Sequence, residues 1–344
     1  MKKIFFLFVI LGSTFLCSCK KKDVRNPPSF DVYVAGSLLD NTAPKHFAVY
    51  WKNGNLVKLT DGAKASIVRS IVVSGNNVYA AGTEFNNITG KYIGKYWKNG
   101  VGVNLTDSTV ESFAKSIAVS GNDIYVAGEE SNGNFFVAKY WKNGIPVSFT
   151  DGTRSTRAES ILISANDIYV AGAEVNSVQL IAKYWKNGVP INLTDGTIPA
   201  YAKSIAISGN DVYIAGVENR CGACLNTFAK YWKNGTPVNL TNGMSSAVAS
   251  SIAISGNDVY VLGFETNGGV ATAKYWKNGT VVNINGAAVY NSIAILSDDI
   301  YLAGGETTTL GQSIAKFWKN GVSINLSDSS TQSAVATTVF LAQQ

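Results

Sequence analysis

Every tryptophan in the chain lies in a Trp-Lys-Asn-Gly tetrapeptide, and there are seven: Trp51, Trp97, Trp141, Trp185, Trp232, Trp276 and Trp318. Successive tryptophans stand 46, 44, 44, 47, 44 and 42 residues apart. A period of about 40 to 45 residues belongs either to propeller blades or to an α-solenoid. No segment shows helical periodicity, which excludes the solenoid. The fifth repeat shows the unit: Ser204–Ser208, a Gly209-Asn210-Asp211 turn, Val212–Gly216, a loop, Ala229–Trp232, the Lys233-Asn234-Gly235 turn, and Val238–Thr241. These are four short strands, named A to D in that order, separated by turn residues. Asn-Gly between C and D suits a two-residue type I′ hairpin, which needs positive φ at both central positions.

The chain enters at a strand B, Val32–Gly36, with no strand A before it. It ends with a strand A: Ser333–Leu341 matches Ser246–Ile254 position for position. The last strand is therefore expected to complete the first blade from the inside, removing the open edges that invite aggregation. The expected fold is all-β: a seven-bladed β-propeller over residues 32–342, with four antiparallel strands per blade.

Residues 116–128, Ser-Ile-Ala-Val-Ser-Gly-Asn-Asp-Ile-Tyr-Val-Ala-Gly, resemble the A–B hairpin of the NHL and bacterial β-propeller repeat families. The resemblance implies that strand A lines the central channel. The Trp-Lys-Asn-Gly hairpin is foreign to the NHL pattern, so the resemblance reaches the fold and no particular activity.

Apolar residues make up 46% of the chain and charged residues 15%, enough for a large core. Seven tyrosines recur in strand B and six precede the tryptophan in strand C, with Phe317 in the seventh place. Such periodic aromatics read as packing between blades, where each tryptophan can bury roughly 150–250 Å². The one histidine, His46, rules out clustered-histidine metal sites and disfavours Ser–His or Cys–His catalysis. It reads as a surface residue. No Asp-x-Asp-x-Asp-Gly loop is present for calcium, and no cofactor or metal is expected.

Six repeats carry a glutamate two residues after the strand-B glycine and a lysine in strand C: Glu84 and Lys95, Glu130 and Lys139, Glu174 and Lys183, Glu218 and Lys230, Glu265 and Lys274, Glu306 and Lys316. The first repeat loses both at once, to Leu38 and Val49. Joint loss predicts cross-strand ion pairs. Lys52, Lys98, Lys142, Lys186, Lys233, Lys277 and Lys319 mark the C–D turns and predict a basic rim. Asp123, Asp167, Asp211, Asp258 and Asp299 in the A–B turns, with Asp61, Asp107, Asp151, Asp195 and Asp328 after strand D, are expected to bond nearby backbone.

The N-terminus is an address. Met1-Lys2-Lys3 is basic and Ile4–Leu11 is apolar, a span well under the roughly 20 residues of a membrane helix. Leu16-Cys17-Ser18-Cys19 resembles the bacterial lipobox. The resemblance implies a signal peptide over 1–18, cleavage before Cys19, acylation of that cysteine (palmitate among the acyl groups), and a tether over 19–31. Lys20 follows where an inner-membrane lipoprotein would carry Asp, which implies the outer membrane. The alternative is a plain secretory signal with two incidental cysteines. The formal charge of +6 lies mostly in these segments, leaving about +1 on the propeller. The basicity thus faces the bilayer and forms no nucleic-acid footprint.

The A–B and C–D turns are nearly identical in every repeat, whereas the B–C and D–A loops vary. In a propeller the variable loops share one face, and recognition concentrates on such loops. Residues placed just before strand A are expected to ring the channel mouth there: Arg69, Lys115, Glu159, Lys203, Ser250, Asn291 and Thr337. Phe113, Lys115, Arg157, Tyr201, Lys203 and Tyr290 are the candidate ligand-binding residues, combining aromatic faces with cationic donors. Cys221 and Cys224, in the B–C loop of repeat five, are expected to form a disulfide in an exported protein. The leading functional reading is a non-enzymatic binding module for a glycan or a protein partner. Its alternatives are a glycan-cleaving hydrolase or lyase, and a structural or assembly factor of the cell envelope.

Overall fold

The computed structural model describes residues 30–40, 44–221, 226–284, 288–309, 311–328 and 332–343. Cys19 and Cys224 lie outside the described residues. Seven sheets of four antiparallel strands make up the molecule, and no helix occurs among the described residues. Within each sheet the strands lie in the order A, B, C, D. The fold is a β-propeller of seven blades.

Blade one is completed as expected. Strand A is Gln332–Gln343 and pairs with strand B, Phe30–Asp40, through Val32 opposite Leu341 and Val34 opposite Val339. Pairing extends beyond the expected boundaries, to Phe30 opposite Gln343. Seven apolar clusters fill the seven interfaces between neighbouring blades. Between blades four and five, for example, Ala171 and Tyr184 meet Ala202, Ile205, Ile214 and Trp232. No tryptophan is more than 3% exposed, so the seven indoles are core and present no ligand surface.

The C–D turns adopt the expected geometry, with φ of 50–53° at the asparagine and 80–86° at the glycine in all seven repeats. Each asparagine is also a clasp. Asn143 Oδ1 accepts the backbone N–H of Ile124, and its Nδ2 donates to Asp123 Oδ1. The turn lysine closes on the same carboxylate: Lys142, Lys186, Lys233, Lys277 and Lys319 pair with Asp123, Asp167, Asp211, Asp258 and Asp299 at 2.7–2.8 Å. Lys52 does so with Asp31 at 2.8 Å. These contacts correct two expectations. The A–B aspartates bond a lysine and an asparagine some twenty residues on, rather than nearby backbone. The lysine rim is accordingly neutralised pair by pair. Only in blade two, where Asn77 replaces the aspartate, does the lysine, Lys98, have no carboxylate partner among the described residues. The aspartates after strand D do bond their own loops, as with Asp107 Oδ1 and the Thr109 N–H.

A feature the sequence pattern did not reveal shapes the channel. Strand A starts earlier than expected, at Ser112 in blade three, and carries a β-bulge in every blade. In blade three the register shifts between Ala114 and Ser116, leaving Lys115 as the extra residue. Arg69, Glu159, Lys203, Ser250, Asn291 and Thr337 are its counterparts. The ring positions therefore lie inside strand A rather than before it. The bulge puts Ala114 and Ile117, three residues apart, into one interface and turns the intervening side chain towards the channel. The serine after the bulge accepts the N–H of the next blade's strand A, as Ser116 does from Ile161, and this bond is present in six of the seven junctions.

All six expected Glu–Lys pairs form. Lys95 meets Glu84 at 2.8 Å, and Lys274 and Lys316 meet Glu265 and Glu306 at 2.5 Å. Lys139, Lys183 and Lys230 pair with Glu130, Glu174 and Glu218. They are more buried than surface pairs, with the Lys230 side chain only 6% exposed and Glu218 20%. In blade one, Leu38 and Val49 are fully buried in the same place. Glu218→Gln strands a buried ammonium and should cost about 2 kcal/mol, between the values for exposed and buried pairs. The blade-one solution, Glu218→Leu with Lys230→Val, should cost less than that single change. Chemical denaturation of both variants is the check; an unaltered midpoint for Glu218→Gln would remove the pair's structural role.

Candidate functional site

All seven bulge residues line one cavity of about 510 Å³ on the B–C and D–A face, together with Phe113 and Thr83. The size falls within the roughly 300–1,000 Å³ of small-molecule sites. Its wall has two halves. Along blades six, seven and one, Ser250, Asn291 and Thr337 each donate to a backbone carbonyl, those of Leu262, Ala336 and Ala35 respectively. Along blades two to five the bulge residues are Arg69, Lys115, Glu159 and Lys203.

The charged half contains a network. Lys115 Nζ lies 2.6 Å from Glu159 Oε1 and 3.0 Å from Glu129 Oε1, bridging two carboxylates. Tyr201 donates its hydroxyl to Glu159 Oε1 at 2.5 Å. Arg157 donates to the Tyr201 oxygen at 3.4 Å and lies over its ring, as does Lys203 Nζ at 5.2 Å from the centroid. Burial raises the Glu129 carboxyl above its ordinary range against the pull of Lys115. At Glu159 burial acts in the same direction, but Lys115, Tyr201 and Lys203 outweigh it and hold that carboxyl below its ordinary value. Burial, reinforced by Glu159, raises the Tyr201 phenol, and burial lowers the Lys203 ammonium despite the attraction of Glu159. Among the described residues neither Arg69 nor Lys203 forms an ion pair.

Of the six candidate residues, Phe113, Lys115 and Lys203 line the cavity, and Arg157 and Tyr201 extend the network from strand A beside it. Tyr290 is a correction. It occupies the position of Ala114 and Ala202, one residue before the bulge, and is directed into the interface between blades six and seven. There it is 4% exposed with its ring centroid 4.4 Å from that of Trp318, and burial pushes its phenol up to about 12. The residue of this blade that lines the cavity is Asn291, as expected. Glu129 lies outside the candidate set, although it breaks the pattern visibly: it precedes the repeated Glu130 where other blades carry Ser37, Thr83, Ala173, Val217, Phe264 or Gly305.

His46 is also corrected. It is half-buried, lines a second cavity of about 330 Å³ with Tyr92, Phe113 and Arg69, and has a buried Nδ1 without a hydrogen-bond partner among the described residues. Burial lowers its pKa. The two cavities share Arg69 and Phe113. A run of ring contacts crosses this region: Phe85 to Tyr92 at 5.1 Å, Tyr92 to Phe113 at 5.8 Å and Phe113 to Phe136 at 5.6 Å. Cys221 is disulfide-bonded; Cys224, its expected partner, lies outside the described residues. No group of three or more His, Cys, Asp or Glu side chains among the described residues could hold a metal ion.

The LVIVD repeat family model matches residues 113–132 and 199–220, which span the A–B hairpins of blades three and five. With the seven blades, this match establishes a β-propeller repeat protein. No curated protein matches the chain. A Mycobacterium tuberculosis puromycin-hydrolyzing peptidase is similar in structure, with a TM-score of 0.57 and 10% identity over 86% of this chain and 51% of the peptidase. The chain thus spans about half the length of that enzyme. The β-propeller domain of the Trilobed protease from Pyrococcus furiosus aligns with a TM-score of 0.54 and 11% identity, over 88% of this chain and 95% of the domain. That domain is described as having an open velcro topology, whereas here strands 332–343 and 30–40 close the ring. At such identity the likeness is one of fold alone.

Proposed function

We propose that the protein is a non-enzymatic binding module that captures a glycan or a protein partner at the channel mouth, anchored through acylated Cys19 to the outer membrane. The observation that carries the binding reading is the cavity itself. A rigid, closed ring gathers seven pattern-breaking side chains around one opening while its framework positions barely vary. The anchor rests on the Leu16-Cys17-Ser18-Cys19 motif. The start of strand B supports the combination. Val32 accepts the N–H of Asn53 in the C–D turn, so the first strand begins on the face opposite the mouth. An anchored propeller would present its cavity away from the bilayer.

The test is a glycan-array screen and a pull-down from envelope extracts, using the full chain in detergent. Alanine at Tyr201 and Lys203 together should lower capture by at least about tenfold, the loss of one charge-assisted contact. Its melting temperature should stay within about 3 °C of the parent. Normal capture by that variant would move the site elsewhere.

One observation favours a glycan-cleaving activity as a second reading. Glu129 and Glu159 share Lys115 and have carboxyl pKa values displaced in opposite directions, the pattern of acid and base pairs. Their common cation opposes this reading, because it occupies the space where the scissile bond would lie. New reducing ends released from a bound glycan, and lost on Glu159→Gln, would establish the enzyme.

A further inference from the structure

We infer that the occupant of the channel mouth is an acidic saccharide bearing more than one carboxylate. The inference rests on the binding-module reading and names the ligand class for that site.

The unpaired charges that line the cavity are cationic, and the carboxylate oxygen of the network without a partner among the described residues, Glu129 Oε2, is buried. Glu129 and Glu159 are both held by Lys115, and Glu159 also accepts Tyr201. The neutral half spends its polar side chains on backbone carbonyls. Arg69 and Lys203 line the same cavity and form no ion pair among the described residues. Lys203 is desolvated without a bonded carboxylate, and an anion beside it would relieve that cost. The two cations stand on blades two and five, three blades apart around the ring, so a single acid group is a poor match and a chain of them a good one.

The remaining lining selects a sugar over a simple anion. Phe113 joins the two cavities and lies in the ring run from Phe85 to Phe136. An aromatic ledge beside cationic donors accepts the apolar face of a pyranose ring while its carboxylate meets the cation. Arg69 offers a planar guanidinium fork that fits a carboxylate in two-point fashion. The adjoining His46 cavity lengthens the groove, giving room for more than one residue of an oligomer.

Isothermal titration of the full chain in detergent with trigalacturonate, its methyl ester, maltotriose and inorganic phosphate tests this. Trigalacturonate should bind at least about tenfold more tightly than the ester or maltotriose, and weaken with added salt. Arg69→Met and Lys203→Met should each lose about tenfold, whereas Lys98→Met, on the opposite face, should lose nothing. Equal binding of the ester, or binding of phosphate but not the uronide, overturns the acidic-saccharide inference. Capture of a neutral glycan that still depends on Tyr201 would do so while leaving the binding-module reading intact. Conversely, cleavage of trigalacturonate would overturn the non-enzymatic reading and support the ligand class.

Discussion

Removing residues 332–343 should abolish cooperative folding of the propeller. The segment supplies the whole innermost strand of blade one, paired along Phe30–Asp40 from one end to the other. It also places Ala334, Ala336 and Val339 in the cluster that joins blade seven to blade one. Phe340 and Ala342 pack on the other side, against the interface with blade two. The deletion would therefore uncover two of the seven interfaces and leave strand B as a bare edge. Burying an aliphatic or aromatic side chain contributes about 1.5–3 kcal/mol, so Val339, Phe340 and Leu341 together account for roughly 5 kcal/mol before the ladder is counted. That is a large part of the roughly 5–15 kcal/mol that holds a domain together. Calorimetry should show no sharp transition at the parent's melting temperature, with any remaining heat absorption broad and at least about 10 °C lower. Loss of residues 20–29, which precede the first strand, should leave the transition in place. A truncated chain with a sharp, undisplaced transition would mean that the ring does not depend on its closing strand.

Ring closure was legible because it is a matter of counting. A repeat with one strand missing at the start and one extra at the end has a single closed arrangement. The Glu–Lys pairs were legible for a similar reason, since Leu38 and Val49 replace both members together. The site was legible only in part. Their place in the repeat locates the seven ring residues, but the repeat alone sets the start of strand A after them. The bulge adds one residue to the alternation, so parity counted through it inverts. Tyr290 stands one residue nearer the bulge than Tyr201 does, in register with Ala202, and so enters the interface instead of the mouth. The charge balance of the lysine rim is hidden from the sequence for another reason. Lys142 and Asp123 are nineteen residues apart in sequence and adjacent only once two turns meet on one face. Periodicity shows that both recur; it does not show that they touch.

The bulge itself yields the other large expected effect. Each strand B carries a glycine opposite the bulge, and the reason is close approach of backbone to backbone. A Cβ built on Gly128 would lie 1.9 Å from the Phe113 carbonyl oxygen, and one on Gly172 would lie 1.8 Å from that of Arg157. No rotamer relieves such a clash, because the backbone fixes the position of a Cβ and its neighbour is main chain. Gly128→Ala must therefore push strand A away or flatten the bulge, breaking the register from Phe113 to Ser116. The expected cost is about 3 kcal/mol or more, at or above the upper end of ordinary overpacking because the neighbour is main chain. Gly102→Ala offers the contrast: its nearest neighbour is a side-chain atom, Trp97 Nε1, at 3.1 Å, and it should cost about 1 kcal/mol or less. The substitution at Gly128 should also reach the site. Lys115 points into the channel only because it is the extra residue of that bulge, and its bonds to Glu129 and Glu159 depend on this aim. Denaturant midpoints for Gly128→Ala and Gly102→Ala, with uronide titration of whichever folds, measure both consequences. If Gly128→Ala proved as stable as the parent, the bulge would not be the device that fixes strand A against strand B.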